Sequence, residues 1–340
     1  MIADEQVQGF LKDPVNFLYA MDWRQGSCHF VPVSREAIST LPFLDNRTLG
    51  TSQKQGTVPF DQVVRLTAEI SGTCDFIFHS AFCCSTLLAR CLDHPGRALS
   101  LKEPFSILNL SGFLRANETG GLDFQNLCKT TLGLLARSFN PGERTLIKPS
   151  NGANNLLPKI LSEPGCGKVL LLFGPLEDFL VAVISGGEPR QTFVDGILKL
   201  FMADFGANLG IREPGALSPL ERAALVWGLQ VRLFSETSKT ADPTRVRTLN
   251  SQSFLKDKAK TLSALNKFFG YGFTKAEIKQ TLEGPLFRTH AKEGQTPFSP
   301  EAHNKEKQDV LVKNQAEISK VISFAKTLGL FPMEKLSNPV

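Results

Sequence analysis

The sequence predicts an α/β fold of three layers, with a central, mainly parallel five-stranded sheet, an N-terminal extension before it and C-terminal helices after it. Three observations carry that expectation. Short apolar runs, of the kind that strands buried on both faces show, alternate with amphipathic stretches of helical period. The first of these runs, residues 75–80, breaks into a tight loop and then a stretch opened by Ser85 and Thr86. Later, Ser218-Pro219-Leu220-Glu221 reads as a capping box with proline at the first helical position. Such alternation argues for a parallel sheet covered by helices.

In chain order, residues 1–70 read as an irregular extension, with Pro14, Pro32, Pro42 and Pro59, a β-like piece at 29–33 and a turn around Asp45–Arg47. The core is expected at 71–270. Its strands are predicted at 75–80, 98–101, 145–148, 168–173 and 245–249, and its helices at 85–93, 122–139, 176–184, 192–209 and 219–238. Residues 271–340 are expected to form a basic loop and C-terminal helices. A lysine-rich helix over 256–269 stops at Gly270, Thr274 to Glu277 repeats the capping-box pattern, and a last helix over 304–328 carries Val310, Ile318, Val321, Ile322 and Ala325 on one stripe.

Composition narrows the function classes. The 340 residues carry a net charge of only +5, which does not call for an extended nucleic-acid surface and suits a small anionic ligand equally well. The seven cysteines include no CxxC pair, the N-terminus has no secretory pattern, and no apolar run approaches a membrane span. A cytoplasmic setting with free thiols follows as the expectation. Cys83, Cys84 and Cys91 with His79 and His94 match no structural zinc spacing, so no metal is expected.

The loop after the first core strand is where an open parallel sheet collects ligands, and the start of a helix offers unpaired N–H groups to an anion. It is not a Walker A loop. His79 and Cys84 stand where that motif has glycines, Ser85 replaces its lysine, and only Thr86 fits. Cys83, close to the predicted helix start, is a candidate for a lowered thiol pKa. The next strand ends at Lys102-Glu103-Pro104, which places an amine and a carboxylate near the same edge.

FIFHSAFCCSTLLARCLD followed by LSLKEP resembles the opening of the P-loop sulfotransferases, which use 3′-phosphoadenosine 5′-phosphosulfate (PAPS). LIKPSNGANNLL, KVLLLFGPLEDFLVAVIS and VRTLNSQSFLKDKAKTLSALNKFFG are similar to later segments of that family, in the same order. The resemblance covers roughly 75–270 and implies a P-loop NTPase-like fold and a sulfuryl transfer from PAPS to a hydroxyl acceptor. It implies that Ser80, Ala81, Phe82, Cys83, Cys84, Ser85 and Thr86 hold the 5′-phosphosulfate, with the backbone N–H groups of 81–86 and two hydroxyls as donors. It implies Glu103 as the base and Lys148 as the charge beside the leaving oxygen, without a metal. His290 and Lys292, with Arg288, would close over the donor as a late loop. The cationic grip of the family is incomplete here: Phe82 stands in the loop where relatives carry a base, and Phe173 and Val181 stand where the 3′-phosphate motif has arginine and serine. A catalytically silent anion- or partner-binding domain and a nucleotide-dependent kinase or hydrolase remain the alternatives. The acceptor, small molecule or carbohydrate, is not specified by these residues.

Overall fold

The structure, a computed structural model, describes residues 4–50, 56–116, 123–206, 211, 213–289, 299–330 and 336–340, the side chains of 300, 301 and 303 excepted. The extension is more regular than its prolines suggest. It contains α1 (Asp4–Lys12), β1 (Asn16–Asp22), β2 (Ser27–Pro32), α2 (Arg35–Thr40), β3 (Gly56–Pro59) and α3 (Phe60–Leu66). The three strands form an antiparallel sheet in the order β1-β2-β3. Two physical facts hid it from the sequence. Phe17, Leu18, Tyr19 and Met21 of β1 are all buried, so no polar alternation marks the strand. Pro32 and Pro59 are the last residues of β2 and β3, where a missing N–H costs the ladder little.

The core runs β4 (Cys74–His79), α4 (Ser85–Cys91), β5 (Ala98–Lys102), α5 (Phe105–Ala116), α6 (Phe124–Leu135), β6 (Arg144–Lys148), a 3₁₀ turn (Asn151–Leu156), α7 (Leu157–Ser162), β7 (Cys166–Phe173), α8 (Leu176–Phe205), α9 (Pro219–Thr240) and β8 (Val246–Asn250). The five strands are parallel in the order β5-β6-β4-β7-β8. The fold class expected from sequence is therefore the one observed. The chain leaves β4 toward β5 on one side and later crosses to β7 on the other, so the carboxyl end of β4 is the switch point of the sheet.

Alternate residues of the strands feed two cores. Phe76, Phe78, Leu99, Leu101, Ile147, Leu171 and Phe173 pack with α5 to α9 and with the extension. Ile77, Leu146, Leu170 and Leu172 face the other way, onto α4 and the helices after β8. This gives the predicted three layers. The helices expected at 176–184 and 192–209 are both present and meet at a kink within α8, where Gly187 is non-helical at φ 57° and ψ −148° and Pro189 stands in the first turn that follows. The kink is thus absorbed by a residue without a Cβ rather than by a loop.

After β8 come α10 (Ser251–Lys256) and α11 (Lys258–Phe269), the latter stopped by Gly270 at φ 76°. Thr274 and Glu277 form the expected capping box of α12 (Lys275–Glu283). The single last helix expected from sequence is two, α13 (Pro300–Lys313) and α14 (Gln315–Thr327), parted at Asn314, whose amide donates to Val310 O at 2.7 Å. A side chain that competes for a helical carbonyl explains the break. Ile318, Val321 and Ala325 are buried as the stripe predicts. Residues 336–340 then lie along β8, where Thr248 N–H donates to Asn338 O at 2.8 Å and Val340 N–H to Thr248 O at 3.0 Å. Among the described residues no helix is long and apolar enough to cross a membrane.

Candidate active site

The strand ends at His79, Lys102 and Lys148 and the loop at 80–84 meet at the switch point. The loop is held in an uncommon shape: Ala81, Phe82 and Cys84 have φ of 64°, 49° and 58°. Left-handed backbone at a non-glycine residue costs ~1–3 kcal/mol, so three in four positions persist only because the surroundings impose them. Those surroundings form a buried polar network. Gln230 of α9 donates to Ser80 O at 3.3 Å and accepts from Asn151 and Asn154 at 3.2 and 3.1 Å, while Asn154 also donates to His79 O at 3.1 Å. Gly174 N–H donates to Ser80 Oγ at 3.4 Å, and Trp227 Nε1 donates to Gly174 O at 2.9 Å. Gly174 is closely packed, since a Cβ there would lie 3.1 Å from Ser251 Oγ and 3.5 Å from Cys83 Cβ.

Of the residues assigned to the loop by sequence, Ser80, Ala81, Cys83, Ser85 and Thr86 are buried and Phe82 and Cys84 half-buried. Thr86 is 3% exposed and its Oγ1 has no hydrogen-bond partner among the described residues. A buried hydroxyl without a partner costs ~1–3 kcal/mol. The Cys83 thiol differs from its expectation. Burial pushes it up to about 12, so it is a packed, protonated thiol and not a reactive one. Phe82 packs on Phe179 and Phe193 at 5.1 and 5.9 Å between ring centres, and the Arg190 guanidinium lies 5.4 Å from its ring. Arg190 also donates to Ala182 O across the kink of α8. Phe173 and Val181 are each 3% exposed, apolar and inside the core.

Glu103 and Lys148 come together as a pair. Lys148 Nζ donates to Glu103 Oε1 at 2.5 Å, with the lysine side chain fully buried and the glutamate 12% exposed. The turn is strained as well, with Glu103 at φ 54°. Lys148 Nζ also lies 3.3 Å from His79 Nε2, and Ala81 N–H donates to His79 Nδ1 at 3.1 Å. That bond leaves the ring proton on Nε2, facing Pro149 O at 3.0 Å. Burial works to raise the Glu103 carboxyl, but the positive charges around it, Lys148 foremost, override burial and hold it down to about 2.

Lys102 is not part of this group. Its amine turns to the opposite side and donates to Ile38 O, Ser39 O and Ser100 O at 2.6, 3.4 and 3.3 Å, and burial lowers it to about 8. Neighbours at a strand end face opposite ways, so only one of Lys102 and Glu103 can reach the site. Sequence reasoning missed Arg47, whose Nη2 donates to Glu103 Oε2 at 2.5 Å from the extension. It also missed Asn151, Asn154 and Gln230. The turn read at Asp45–Arg47 was the one signal available for the first. His290 and Lys292 lie outside the described residues. Arg288 is exposed, and Leu286 and Phe287 beside it pack on the α4 layer, so the basic loop begins next to α4. Among the described residues no cluster of His, Cys, Asp or Glu is placed to hold a metal ion.

No protein-family model and no curated protein matches the chain. Among solved structures, a sulfotransferase domain from the curacin biosynthetic pathway is similar, with a TM-score of 0.43 and 13% identity, covering 72% of this chain and 98% of that one.

Proposed function

We propose that the protein is a sulfuryl transferase that uses a phosphosulfate donor of the PAPS type and a hydroxyl acceptor. One observation carries the reading: a continuous line of contacts runs from the Ala81 N–H through His79 and Lys148 to the Glu103 carboxylate. It links an anion loop to an acid–base pair at the next strand ends. The loop fits the phosphosulfate end of such a donor, because the buried Thr86 hydroxyl lacks a partner and Ser85 stands beside it. The 3′-phosphate end has no polar partner at Phe173 or Val181, so Arg190 beside Phe82 is the described cation assigned to it.

When bound, the donor supplies an electrophilic sulfur and a phosphate leaving group. Glu103 takes the proton of the acceptor hydroxyl as its oxygen bonds to sulfur. Lys148 places its charge beside the oxygen that keeps the electron pair of the broken S–O bond. With Lys148 on Oε1, Glu103 is a weak base. As the lysine charge is drawn to the leaving oxygen, the carboxylate gains basicity at the step that needs it.

Calorimetry with adenosine 3′,5′-bisphosphate tests the donor. Micromolar binding that is lost on Ser85→Ala with Thr86→Ala supports the reading, and Glu103→Gln should retain that binding while removing turnover. No binding of the bisphosphate, with binding of ATP and Mg²⁺ instead, would assign the site to a nucleotide-dependent kinase or hydrolase. Binding of neither ligand would point to a catalytically silent anion- or partner-binding domain, a reading that the apolar Phe173 and Val181 favour.

A further inference from the structure

We propose that Arg47 is a positioning residue of this site: delivered by the N-terminal extension, it fixes one oxygen of Glu103 so that Lys148 can leave the other. The inference rests on the sulfuryl-transfer reading and adds to it a part of the chain outside the parallel core. Three sets of contacts support it. Leu44 N–H donates to Lys102 O at 2.7 Å and Phe105 N–H donates to Leu44 O at 3.1 Å, so one residue of the extension ties down both flanks of Glu103. Arg47 Nη2 holds Glu103 Oε2 while Lys148 holds Oε1, each at 2.5 Å. The guanidinium is itself fixed, with Nε donating to both oxygens of Asp45 at 3.0 and 2.8 Å and Cζ lying 3.5 Å from the Phe43 ring centre.

The two cations differ in what else they touch. Lys148 adjoins His79 and through it the loop. Among the described residues Arg47 makes no hydrogen bond or ion pair to the loop at 80–84, and its side chain is half exposed, at 49%. Arg47 therefore keeps Glu103 in place whichever partner Lys148 has. The charged or titratable groups that face Glu103 are Lys148, Arg47, His79 and, through Arg47, Asp45. Removing Arg47 takes away a cation and leaves the Asp45 charge uncompensated beside the base, and both changes make the carboxylate easier to protonate.

The test compares wild type with Arg47→Ala and Arg47→Lys. Arg47→Ala should leave the affinity for adenosine 3′,5′-bisphosphate within about twofold, lower kcat ~10-fold or more, and move the acid limb of kcat upward by about one pH unit. Arg47→Lys should restore the acid limb but only part of kcat, because an ammonium cannot span Asp45 and Glu103 as a planar fork does. A second readout needs no turnover. In ¹³C NMR of glutamate-labelled protein, with the Glu103 signal assigned through Glu103→Gln, wild type should remain ionised to the acid limit of the fold. Arg47→Ala should titrate at higher pH. Equal titration in the two proteins, or an unmoved acid limb, overturns the proposal. Failure of wild type to turn over any acceptor removes the transferase reading instead, and the proposal falls with it as a statement about catalysis, whatever the titration shows of the Arg47–Glu103 contact.

Discussion

Glu103 and Lys102 are neighbours with opposite fates, and charge environment explains both. Glu103 gains two cations and its carboxyl falls below the ordinary value of 4.5, to about 2. A depressed carboxyl contributes stability that is fully present above the unfolded value and is lost as pH falls toward the folded one. Chemical denaturation of wild type should therefore show stability declining through that acid window, and Glu103→Gln should flatten the decline. An unchanged slope in the variant would mean that the ion pairs contribute nothing to folding. Lys102 instead anchors the last carbonyls of α2 from β5, and Lys102→Met should destabilise the fold by ~1–3 kcal/mol through unsatisfied acceptors. The sequence placed Glu103 at the correct strand end because the apolar run stops there. It could not place Arg47, which reaches Glu103 across 56 positions and belongs to no local pattern.

At the level of elements, the β4–loop–α4 segment was legible because each of its parts has a local cause: an apolar strand, a polar helix start and a leucine-bearing face. The left-handed residues of the loop were not legible, since alanine, phenylalanine and cysteine do not announce that conformation. The Gln230, Asn151 and Asn154 network that imposes it comes from three separate elements. The kink of α8 was legible only in part. The sequence showed two helices there but not what parts them, and it is Gly187 that makes the turn between them. Gly187 at φ 57° and ψ −148° occupies a region closed to residues with a Cβ. Gly187→Ala should cost ~1–3 kcal/mol in thermal unfolding and, on the proposed function, weaken bisphosphate binding by displacing Arg190 from Phe82. Loss of stability with full retention of binding would separate the kink from the site.

On the scale of the molecule, the extension and the C-terminal tail both complete the core. The two-sided burial of the β1 residues hid a sheet that packs on one face of the larger one, while the five core strands were found to within two residues at each end. Along β8 the tail pairs with Thr248 and covers the strand's open edge. Deleting 336–340 should lower the thermal midpoint and promote self-association in light scattering, and unchanged scattering would show that the edge needs no cover. The hydrogen bond from Trp227 to Gly174 has a separate consequence. The chain has two tryptophans, Trp227, buried next to the loop at 80–84, and Trp23, in the extension 6.0 Å from Phe113. Trp227 is thus a native fluorophore next to the loop. With Trp23→Phe, the remaining emission becomes a label-free optical gauge of what enters the loop, read in real time and without any knowledge of the acceptor.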